Sequence, residues 1–269
     1  MAALQSANIT VMIKAARKAS GKLKRDYGEV DQLQVSSKGP ADFVTAADIR
    51  TEEMLRDQLS YARPDFGFLM EEAGEIVGED PTRRWVIDPI DGTTNFIHGI
   101  PHFAISIALE ENGEITAGVI YEPINDQMFW AEKGAGAWLN DRRMRVSGRS
   151  IMAESIFATG IPFMGRGEPG DHELFLKQME AVMSVSAGIR RFGSAALDLA
   201  YVAAGRFDGF WETGLKPWDI AAGLIIVREA GGMISELDGR DNMLKTGSIL
   251  ASNPNLQQEL SQIIRKAGK

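Results

Sequence analysis

Two aspartates, Asp88 and Asp91, follow an apolar triplet in the run WVIDPIDGTTNFIH, which spans Trp85–His98. The triplet is typical of the end of a buried strand. Pro89 lies between the two acids. Because proline fixes its own φ and disfavours helix in the preceding residue, we expect both carboxylates to lie on a stiff turn that leaves the strand.

A glycine and two threonines complete this run and indicate an anion site beside the acids. Gly92 lets the backbone approach a ligand closely, and either Thr93 or Thr94 is suited to cap a short helix. The free N–H groups at a helix start favour an anion, which the carboxylates would repel. A hard cation such as Mg²⁺ removes that conflict, because it binds carboxylates and substrate phosphate oxygens together. The run therefore indicates metal-dependent phosphate chemistry, and the alternative is a turn whose acids face solvent.

Three further acids stand where they would complete such a site. Glu71 ends a predicted strand, as Asp88 does, so neighbouring strands would bring both carboxylates to one edge of a sheet. Asp219 lies in the first turn of a predicted helix, with Pro217 at a position that proline favours. An acid in a first turn is also common because it complements the helix dipole, and Asp48 has the same alternative.

The composition limits the classes of protein that fit. The 269 residues are 44% hydrophobic and 25% charged, which is ordinary for a globular protein of one or two domains. The net charge of −8 argues against a direct nucleic-acid binder. The absence of cysteine excludes disulfides and thiolate catalysis. Because no apolar run has the length of a membrane span and no signal-peptide core precedes the first helix, we expect a cytoplasmic protein.

Periodicity predicts helices packed on an antiparallel sheet in the first half of the chain. Alternating apolar residues and turn signals such as Asn112-Gly113 predict an antiparallel meander from His102 to Val146. The other predicted elements are a helix that ends near residue 28, a loop over 38–44, a helix over 45–61, and strands over 66–70 and 84–88.

After about residue 147 strands and helices alternate, which predicts an α/β half with ligands at the strand ends that face a cleft. Predicted strands are 155–159, 188–192, 207–212, 233–236 and 249–252, and predicted helices are 171–184, 194–204, 217–230 and one from residue 255. We therefore expect two parts, 1–147 with most of the metal ligands and 148–269 closing the cleft.

Two long motifs carry a resemblance to a known family. They are WVIDPIDGTTNF at Trp85–Phe96 and WDIAAGLIIVREAGG at Trp218–Gly232. With them the chain resembles the inositol monophosphatases, within the Mg²⁺-dependent, Li⁺-sensitive sugar phosphatase superfamily. Shorter segments that match in the family's order are DFVTAAD at Asp42–Asp48, Glu71-Glu72, RRFGSAA at Arg190–Ala196 and FWETG at Phe210–Gly214.

The resemblance implies a layered αβαβα sandwich, a homodimer, and a site that holds two to three Mg²⁺ ions. It implies that Glu71, Asp88 and the carbonyl of Ile90 bind one ion. Asp88, Asp91 and Asp219 would bind the second, and Glu71 would place a weaker third ion through water. We expect the third ion to bind mainly with substrate, because the carboxylates and a phosphate monoester outnumber the charges of two Mg²⁺.

The resemblance also implies the substrate contacts. The N–H groups of Gly92 and Thr93 would bind the phosphate. Lys38, on the predicted loop, is a candidate to close over the site, and an ordinary surface lysine is the alternative. The residues implied for the polyol side are Asp91, Gly193, Ser194, Ala195, Glu212 and Asp219, with Arg190 nearby.

The implied reaction is hydrolysis of a phosphate monoester by direct in-line attack of metal-activated water. Glu71 and Thr93 would orient and deprotonate that water, and Asp48 would accept a hydrogen bond from the Thr93 hydroxyl. Asp-Gly-Thr also occurs in phosphatases of the haloacid dehalogenase class, in which an aspartate two residues upstream is phosphorylated. Here Pro89 occupies that position, which disfavours an aspartyl-phosphate.

The favoured substrate is inositol 1-phosphate, because Thr94-Asn95-Phe96 follows Asp-Gly-Thr and Glu212 is available on the polyol side. Alternatives within the fold are phosphatases for fructose 1,6-bisphosphate, histidinol phosphate or 3′-phosphoadenosine 5′-phosphate. A different class is a bacterial regulator of RNA synthesis that acts by binding a protein of the transcription machinery. Lys216-Pro217 before Trp218 resembles that bacterial branch. We expect no membrane contact in either case.

Overall fold

A computed structural model describes residues 5–29, 35–39, 42–162 and 169–268. The first half of this described chain forms a large sheet and three helices. The helices are α1 (Ala7–Tyr27), α2 (Ala46–Ala62) and α3 (Thr93–Ile97). The strands are β1 (Val35–Gly39), β2 (Asp42–Thr45), β3 (Phe66–Met70), β4 (Gly74–Ile76), β5 (Asp80–Asp91), β6 (Ala104–Glu111), β7 (Glu114–Glu122), β8 (Gln127–Glu132), β9 (Gly136–Leu139) and β10 (Arg142–Met144).

The second half alternates strand and helix, as the sequence predicts. The helices are α4 (Asp171–Met183), α5 (Ala195–Ala203), α6 (Pro217–Glu229), α7 (Met243–Thr246) and α8 (Gln257–Ala267). The strands are β11 (Ile156–Thr159), β12 (Gly188–Arg190), β13 (Gly209–Glu212), β14 (Met233–Ser235) and β15 (Ile249–Ser252). No helix within the described ranges is long and apolar enough to cross a membrane.

The two main sheets have different topologies. The eight-stranded sheet runs β10-β9-β8-β7-β6-β5-β3-β4, in which β3 and β5 are parallel and the other pairs are antiparallel. Strands β6 to β10 form the predicted meander, and the turn at Asn112 and Gly113 takes positive φ at both residues (53° and 79°). The five-stranded sheet runs β12-β11-β13-β15-β14, with β11 parallel to both of its neighbours.

Three hydrophobic cores hold the five layers together, and the middle core includes the helices between the two sheets. Helices α1 and α2 bury side chains such as Met12 and Leu55 against one face of the large sheet. Helices α5 and α6 fill the space between the two sheets, and their core also contains Phe129 of β8 and Phe210 of β13. Helices α4 and α8 cover the outer face of the small sheet. The predicted αβαβα sandwich is confirmed, while the division at residue 147 stays a prediction because the middle core takes side chains from both parts.

Helices α1 and α2 form where the sequence supplies both a cap and an apolar stripe. The Ser6 side chain accepts a hydrogen bond from the N–H of Ile9, and buried residues then recur at helical spacing along α1. In α2 the Thr45 hydroxyl accepts from the N–H of Asp48, and the Asp48 carboxylate accepts from the N–H of Thr45 at 2.7 Å. This reciprocal capping box fixes Asp48 at the first turn of α2.

Within the predicted loop 38–44, the described residues 38, 39 and 42–44 belong to the paired antiparallel strands β1 and β2. Ser36 pairs with Val44 and Ser37 with Phe43, so each strand satisfies backbone groups of the other. The register shifts between Ser37 and Gly39. Lys38 therefore lies in a strand beside an irregularity, and not on a free loop.

The two central aspartates lie within β5, and the predicted turn after the strand is wrong. Asp88 pairs with Ser106 and Asp91 pairs with Ala104 on β6, so the strand gains an extra residue between them. Proline is tolerated at such a bulge because Pro89 has no N–H to donate to the ladder. Residues three apart on a regular strand point to opposite faces. The bulge is the reason that Asp88 and Asp91 reach the same site.

Candidate active site and metal centre

Three carboxylates converge where the end of β5 meets the start of α6. One oxygen from each of Asp88, Asp91 and Asp219 lies within 4.8 Å of the other two. Asp88 is buried, and its Oδ1 accepts a hydrogen bond from the N–H of Ile90 at 2.9 Å. Asp219 Oδ2 accepts from the N–H of Lys216 at 2.7 Å, which fixes the acid at the helix start. The structure thus brings together three of the predicted metal ligands.

Helix α5 holds the carboxylate of Asp91 from the other half of the chain. Asp91 Oδ2 accepts a short hydrogen bond from the Ser194 hydroxyl and another from the N–H of Ala196 at 2.8 Å. The Ser194 side chain also caps α5 by accepting from the N–H of Leu197. With Oδ2 engaged by these donors, Oδ1 is the oxygen that Asp91 has available for a cation.

The buried carboxylates of this cluster repel one another, so a nearby positive charge would stabilise their ionised forms. Burial, followed by the negative charges of Glu71, Asp91 and Asp219, raises the pKa of Asp88 well above its usual range. Burial raises the pKa of Asp91 to about 6 despite the hydrogen bond from Ser194, and burial together with Asp91 raises that of Asp219 to about 8. Hard oxygen donors whose charges repel one another in a buried site fit a divalent cation such as Mg²⁺.

Glu71 lies near the same cluster, one residue beyond the end of the neighbouring strand β3. Strand β3 runs parallel to β5, with Met70 opposite Ile87, and the N–H of Glu71 donates to the carbonyl of Ile87 at 3.2 Å. The charge of Glu71 is the largest cause, after burial, of the raised pKa of Asp88. The predicted proximity of Glu71 and Asp88 at one sheet edge is confirmed.

Thr93 contacts both Asp48 and the carbonyl of Ile90. Its Oγ1 lies 3.0 Å from Asp48 Oδ1 and 2.9 Å from the Ile90 oxygen, and one hydroxyl proton serves only one of these acceptors at a time. Asp48 is fully buried, and its other oxygen accepts from the Thr45 hydroxyl at 2.6 Å. Gly92, in the left-handed region with φ 97°, is the N-cap of α3. Thr93 is therefore not the cap, and its hydroxyl lies within hydrogen-bonding distance of both Asp48 and the Ile90 carbonyl.

Asn95 of α3 connects two loops, one that contains His102 and one that contains Phe192 and Gly193. Its side-chain amide donates to the carbonyl of His102 at 2.8 Å and to that of Phe192 at 2.7 Å. A Cβ at Gly92 would stand 3.3 Å from the carbonyl oxygen of Gly193, so the two glycines are in close contact. In the sequence analysis Asn95 served only as part of Thr94-Asn95-Phe96, which favoured inositol 1-phosphate, and its hydrogen bonds to His102 and Phe192 were not predicted.

Glu212 lies at the end of β13 against Gly160, the residue that follows the neighbouring strand β11. A side chain at Gly160 would occupy the space of the Glu212 carboxylate. Burial raises the pKa of Glu212 to about 8, the charges of Asp219 and Asp91 add to this rise, and Arg191 opposes it. Arg190, which the resemblance places near the substrate, donates from its guanidinium to the carbonyl of Ile189 at 3.1 Å and is exposed.

A further acid, Asp198, is buried in helix α5. It is 1% exposed, and its Oδ1 has no hydrogen-bond partner among the described residues. Burial, then the charges of Glu212 and Asp91, raise its pKa well above the usual range. An acid on an otherwise apolar helix was the available signal, but helical periodicity alone does not show that such an acid is buried.

An acidic cation site beside a Thr–Asp pair, set between the sheets of an αβαβα sandwich, is the arrangement expected of a metal-dependent phosphatase. The sequence profile described as the inositol monophosphatase family matches residues 5–269. The chain therefore belongs to the inositol monophosphatase family, whose members are metal-dependent phosphatases.

Individual relatives agree with this assignment. The chain is 54% identical over 262 residues to a Mesorhizobium japonicum protein named inositol-1-monophosphatase, covering 97% of each chain. It is 42% identical over 266 residues to Nus factor SuhB of Escherichia coli, covering 96% of this chain and 98% of that protein. Its fold is similar to the crystal structure of extragenic suppressor protein SuhB from Bartonella henselae, with a TM-score of 0.93, 54% identity, and coverage of 97% and 99%.

Proposed function

We propose that this protein hydrolyses inositol 1-phosphate to myo-inositol and phosphate in the cytoplasm, with Mg²⁺ as cofactor. The observation that carries the proposal is the convergence of Asp88, Asp91 and Asp219 beside the pair of Thr93 and Asp48. The similarity to a relative named inositol-1-monophosphatase supports the choice of substrate.

The carboxylates fit two to three Mg²⁺ ions. Glu71, Asp88 and the carbonyl of Ile90 would hold one ion, and Asp88, Asp91 and Asp219 would hold a second. A third would bind with the substrate beside Glu71. When bound, the ions lower the pKa of a water molecule and neutralise charge that develops on the leaving oxygen.

The residues around the ions supply orientation and proton transfer. With its proton donated to Asp48 Oδ1, the Thr93 oxygen presents its free lone pairs to a hydrogen of the attacking water. The Glu71 carboxylate accepts the water's other proton as the oxygen attacks phosphorus. Burial raises the pKa of Asp48, and the N–H and hydroxyl of Thr45, which both donate to its carboxylate, oppose that rise.

The substrate is held from both halves of the chain. The N–H groups of Gly92 and Thr93 bind phosphoryl oxygens, and Glu212 accepts from a polyol hydroxyl. Gly193 and Ala195 line the same side through their backbone. Since the Ser194 hydroxyl donates to Asp91, Ser194 contributes to the polyol side through its backbone as well.

A panel of substrates tests this function. Phosphate release is measured with inositol 1-phosphate, fructose 1,6-bisphosphate, histidinol phosphate and 3′-phosphoadenosine 5′-phosphate, with and without Mg²⁺. We expect the highest kcat/KM for inositol 1-phosphate, and loss of all activity in Asp91→Asn. A higher kcat/KM for another member of the panel would identify that compound as the preferred substrate. Activity unaffected by removal of Mg²⁺ would refute the metal assignment.

A second candidate function is regulation of RNA synthesis by binding a protein of the transcription machinery. The 42% identity to Nus factor SuhB favours it. A phenotype of gene deletion that Asp91→Asn complements would support this role, because that variant removes a metal ligand and leaves the surface unchanged. Failure of Asp91→Asn to complement would support the enzymatic role instead.

We also propose that the protein forms a homodimer and that Li⁺ inhibits its phosphatase activity. The exposed apolar side chains of Leu176 and Met183 on α4, which are 64% and 61% exposed, support an interface on that face. Light scattering should give twice the mass of the chain, and phosphate release should fall as Li⁺ is added at constant Mg²⁺. A monomeric mass would contradict the dimer but would leave the proposed reaction unaffected.

A further inference from the structure

Helix α2 carries two buried acids one turn apart, Asp48 and Glu52. They are 0% and 4% exposed, and their spacing of four residues places them on the same face of the helix. Asp48 contacts Thr93, as described above. Glu52 has no role in the family resemblance or in the proposed reaction, yet a carboxylate is seldom buried unless it is hydrogen-bonded.

Both oxygens of Glu52 accept hydrogen bonds from the backbone of the turn that joins β3 to β4. Oε2 accepts from the N–H of Glu72 at 2.8 Å, and Oε1 accepts from the N–H of Ala73 at 2.9 Å. Hydrogen bonds from N–H groups to a carboxylate are stronger than those to neutral acceptors. Together with the bond from the N–H of Glu71 to the carbonyl of Ile87, they fix the backbone before and after Glu71.

We propose that Glu52 is a positioning residue for Glu71. By fixing the turn 71–73, it directs the Glu71 carboxylate toward Asp88 and the cation that the two acids would share. Helix α2 then aligns both groups that contact the attacking water, Thr93 through Asp48 and Glu71 through Glu52. The role of Glu71 in this inference rests on the proposed function, whereas the contact between Glu52 and the turn does not.

Three variants distinguish the effect of the position of the Glu52 carboxylate from the effect of its charge. Glu52→Gln keeps the length of the side chain but leaves one oxygen to accept, so it loses one of the two bonds. Glu52→Asp keeps the charge but withdraws the carboxylate by one methylene from both N–H groups. Glu53→Gln removes a charge from the exposed neighbour on the same helix and is the matched control.

The measurements are Mg²⁺ binding by calorimetry without substrate and phosphate release as a function of Mg²⁺ concentration. In Glu52→Gln and Glu52→Asp, we expect weaker Mg²⁺ binding and a higher Mg²⁺ concentration for half-maximal activity, each by at least tenfold, the usual loss when a supporting partner of a metal ligand is removed. KM for the substrate at saturating Mg²⁺ should change little, and Glu53→Gln should match the unmodified protein.

The outcomes distinguish this inference from the proposed function. Normal Mg²⁺ binding by Glu52→Asp would overturn the positioning role and leave only an effect of charge. Absence of Mg²⁺ binding by the unmodified protein would overturn the proposed function instead. If neither variant folds, hydrogen exchange on the unmodified protein decides. Slow exchange of the Glu72 and Ala73 amides without Mg²⁺ supports the role of Glu52, and exchange as fast as in open loops contradicts it.

Discussion

The carboxylate of Asp91, at the end of β5, accepts a hydrogen bond from the hydroxyl of Ser194, at the start of α5, across 103 positions of the chain. Because Asp91 also belongs to the acidic cluster, this bond joins that cluster to the helix layer between the sheets. The helix start presents a hydroxyl and N–H groups to the carboxylate, which stabilises its charged form.

Ser194→Ala should weaken both the helix and the cation site. Loss of the side-chain cap of α5 is expected to cost about 1 kcal/mol of stability, or roughly 2–4 °C in unfolding temperature. Asp91 keeps the N–H of Ala196 but loses its hydroxyl donor, so its pKa rises and Mg²⁺ binding at pH 7 weakens. Thermal unfolding and Mg²⁺ calorimetry measure the two effects. Ser184→Ala, at an exposed position after α4, is the control, and unchanged Mg²⁺ affinity in Ser194→Ala would contradict the coupling.

Thr93→Val should impair the chemical step and leave metal binding nearly intact. Valine has the shape of threonine without the hydroxyl, so the variant loses both the contact with Asp48 and the group that we propose to orient the attacking water. We expect kcat to fall by about 10²–10⁴-fold and Mg²⁺ affinity to change less than threefold. Thr94→Val, at the exposed next residue of α3, is the matched control. Equal kcat values in the two variants would exclude Thr93 from the reaction.

Gly160→Ala should displace the Glu212 carboxylate from the position in which we propose that it contacts the substrate. The new methyl group would occupy the space of the Glu212 carboxylate, and that carboxylate is the movable end of a flexible side chain. We expect KM for inositol 1-phosphate to rise about tenfold, since a contact to a substrate hydroxyl is worth about 1–1.5 kcal/mol, with Mg²⁺ affinity unchanged. Steady-state kinetics and calorimetry measure both.

A control variant and a double variant test whether Gly160→Ala acts through Glu212. Gly148→Ala adds the same methyl group at an exposed position where nothing lies within 4 Å, and it should have no effect. In a Glu212→Ala background, Gly160→Ala should cause little further loss, because both changes remove the same contact. Additive losses in the double variant would show that Gly160 acts by another route.

The sequence predicted the acids of the site because they stand in strands and helix starts that have clear local signals. Asp88, Asp91 and Asp219 follow an apolar run or a proline at a helix start, and the structure brings them together. The bulge at Pro89 was missed, since a proline in an apolar run equally indicates the end of a strand. Its presence depends on the register with β6, which local patterns do not contain.

Residues that support the site from a distance were not predictable in this way. Gly160 meets Glu212 because Thr159 of β11 pairs with Trp211 of β13, and a single sequence does not show which strands are neighbours. Glu52 is an acid on an amphipathic helix, a position that normally faces solvent. Its burial depends on the turn 71–73 packing over α2, so only the tertiary structure reveals it.

The stability of the metal-free protein should fall as pH rises, whereas the additional stabilisation by Mg²⁺ should increase. Without the ion, burial and neighbouring charge hold the pKa of Asp91 at about 6 and that of Asp219 at about 8, whereas unfolded aspartates titrate near 4. Between about pH 4 and pH 8 the native state therefore binds more protons than the unfolded state, and stability falls as pH rises. Mg²⁺ binds the deprotonated carboxylates, so the stabilisation that it provides grows over the same range.

Thermal unfolding at pH 5.5 and pH 8 measures this difference. We expect Mg²⁺ to raise the unfolding temperature by roughly 5 °C more at pH 8 than at pH 5.5, since about 1–2 kcal/mol of repulsion is relieved. Asp219→Asn removes one of the repelling charges, so it should stabilise the metal-free protein at pH 8 and reduce the effect of Mg²⁺. Asp57→Asn, an exposed acid on α2, should do neither. An equal effect of Mg²⁺ at both pH values would mean that the ion does not bind the carboxylates whose pKa values are raised.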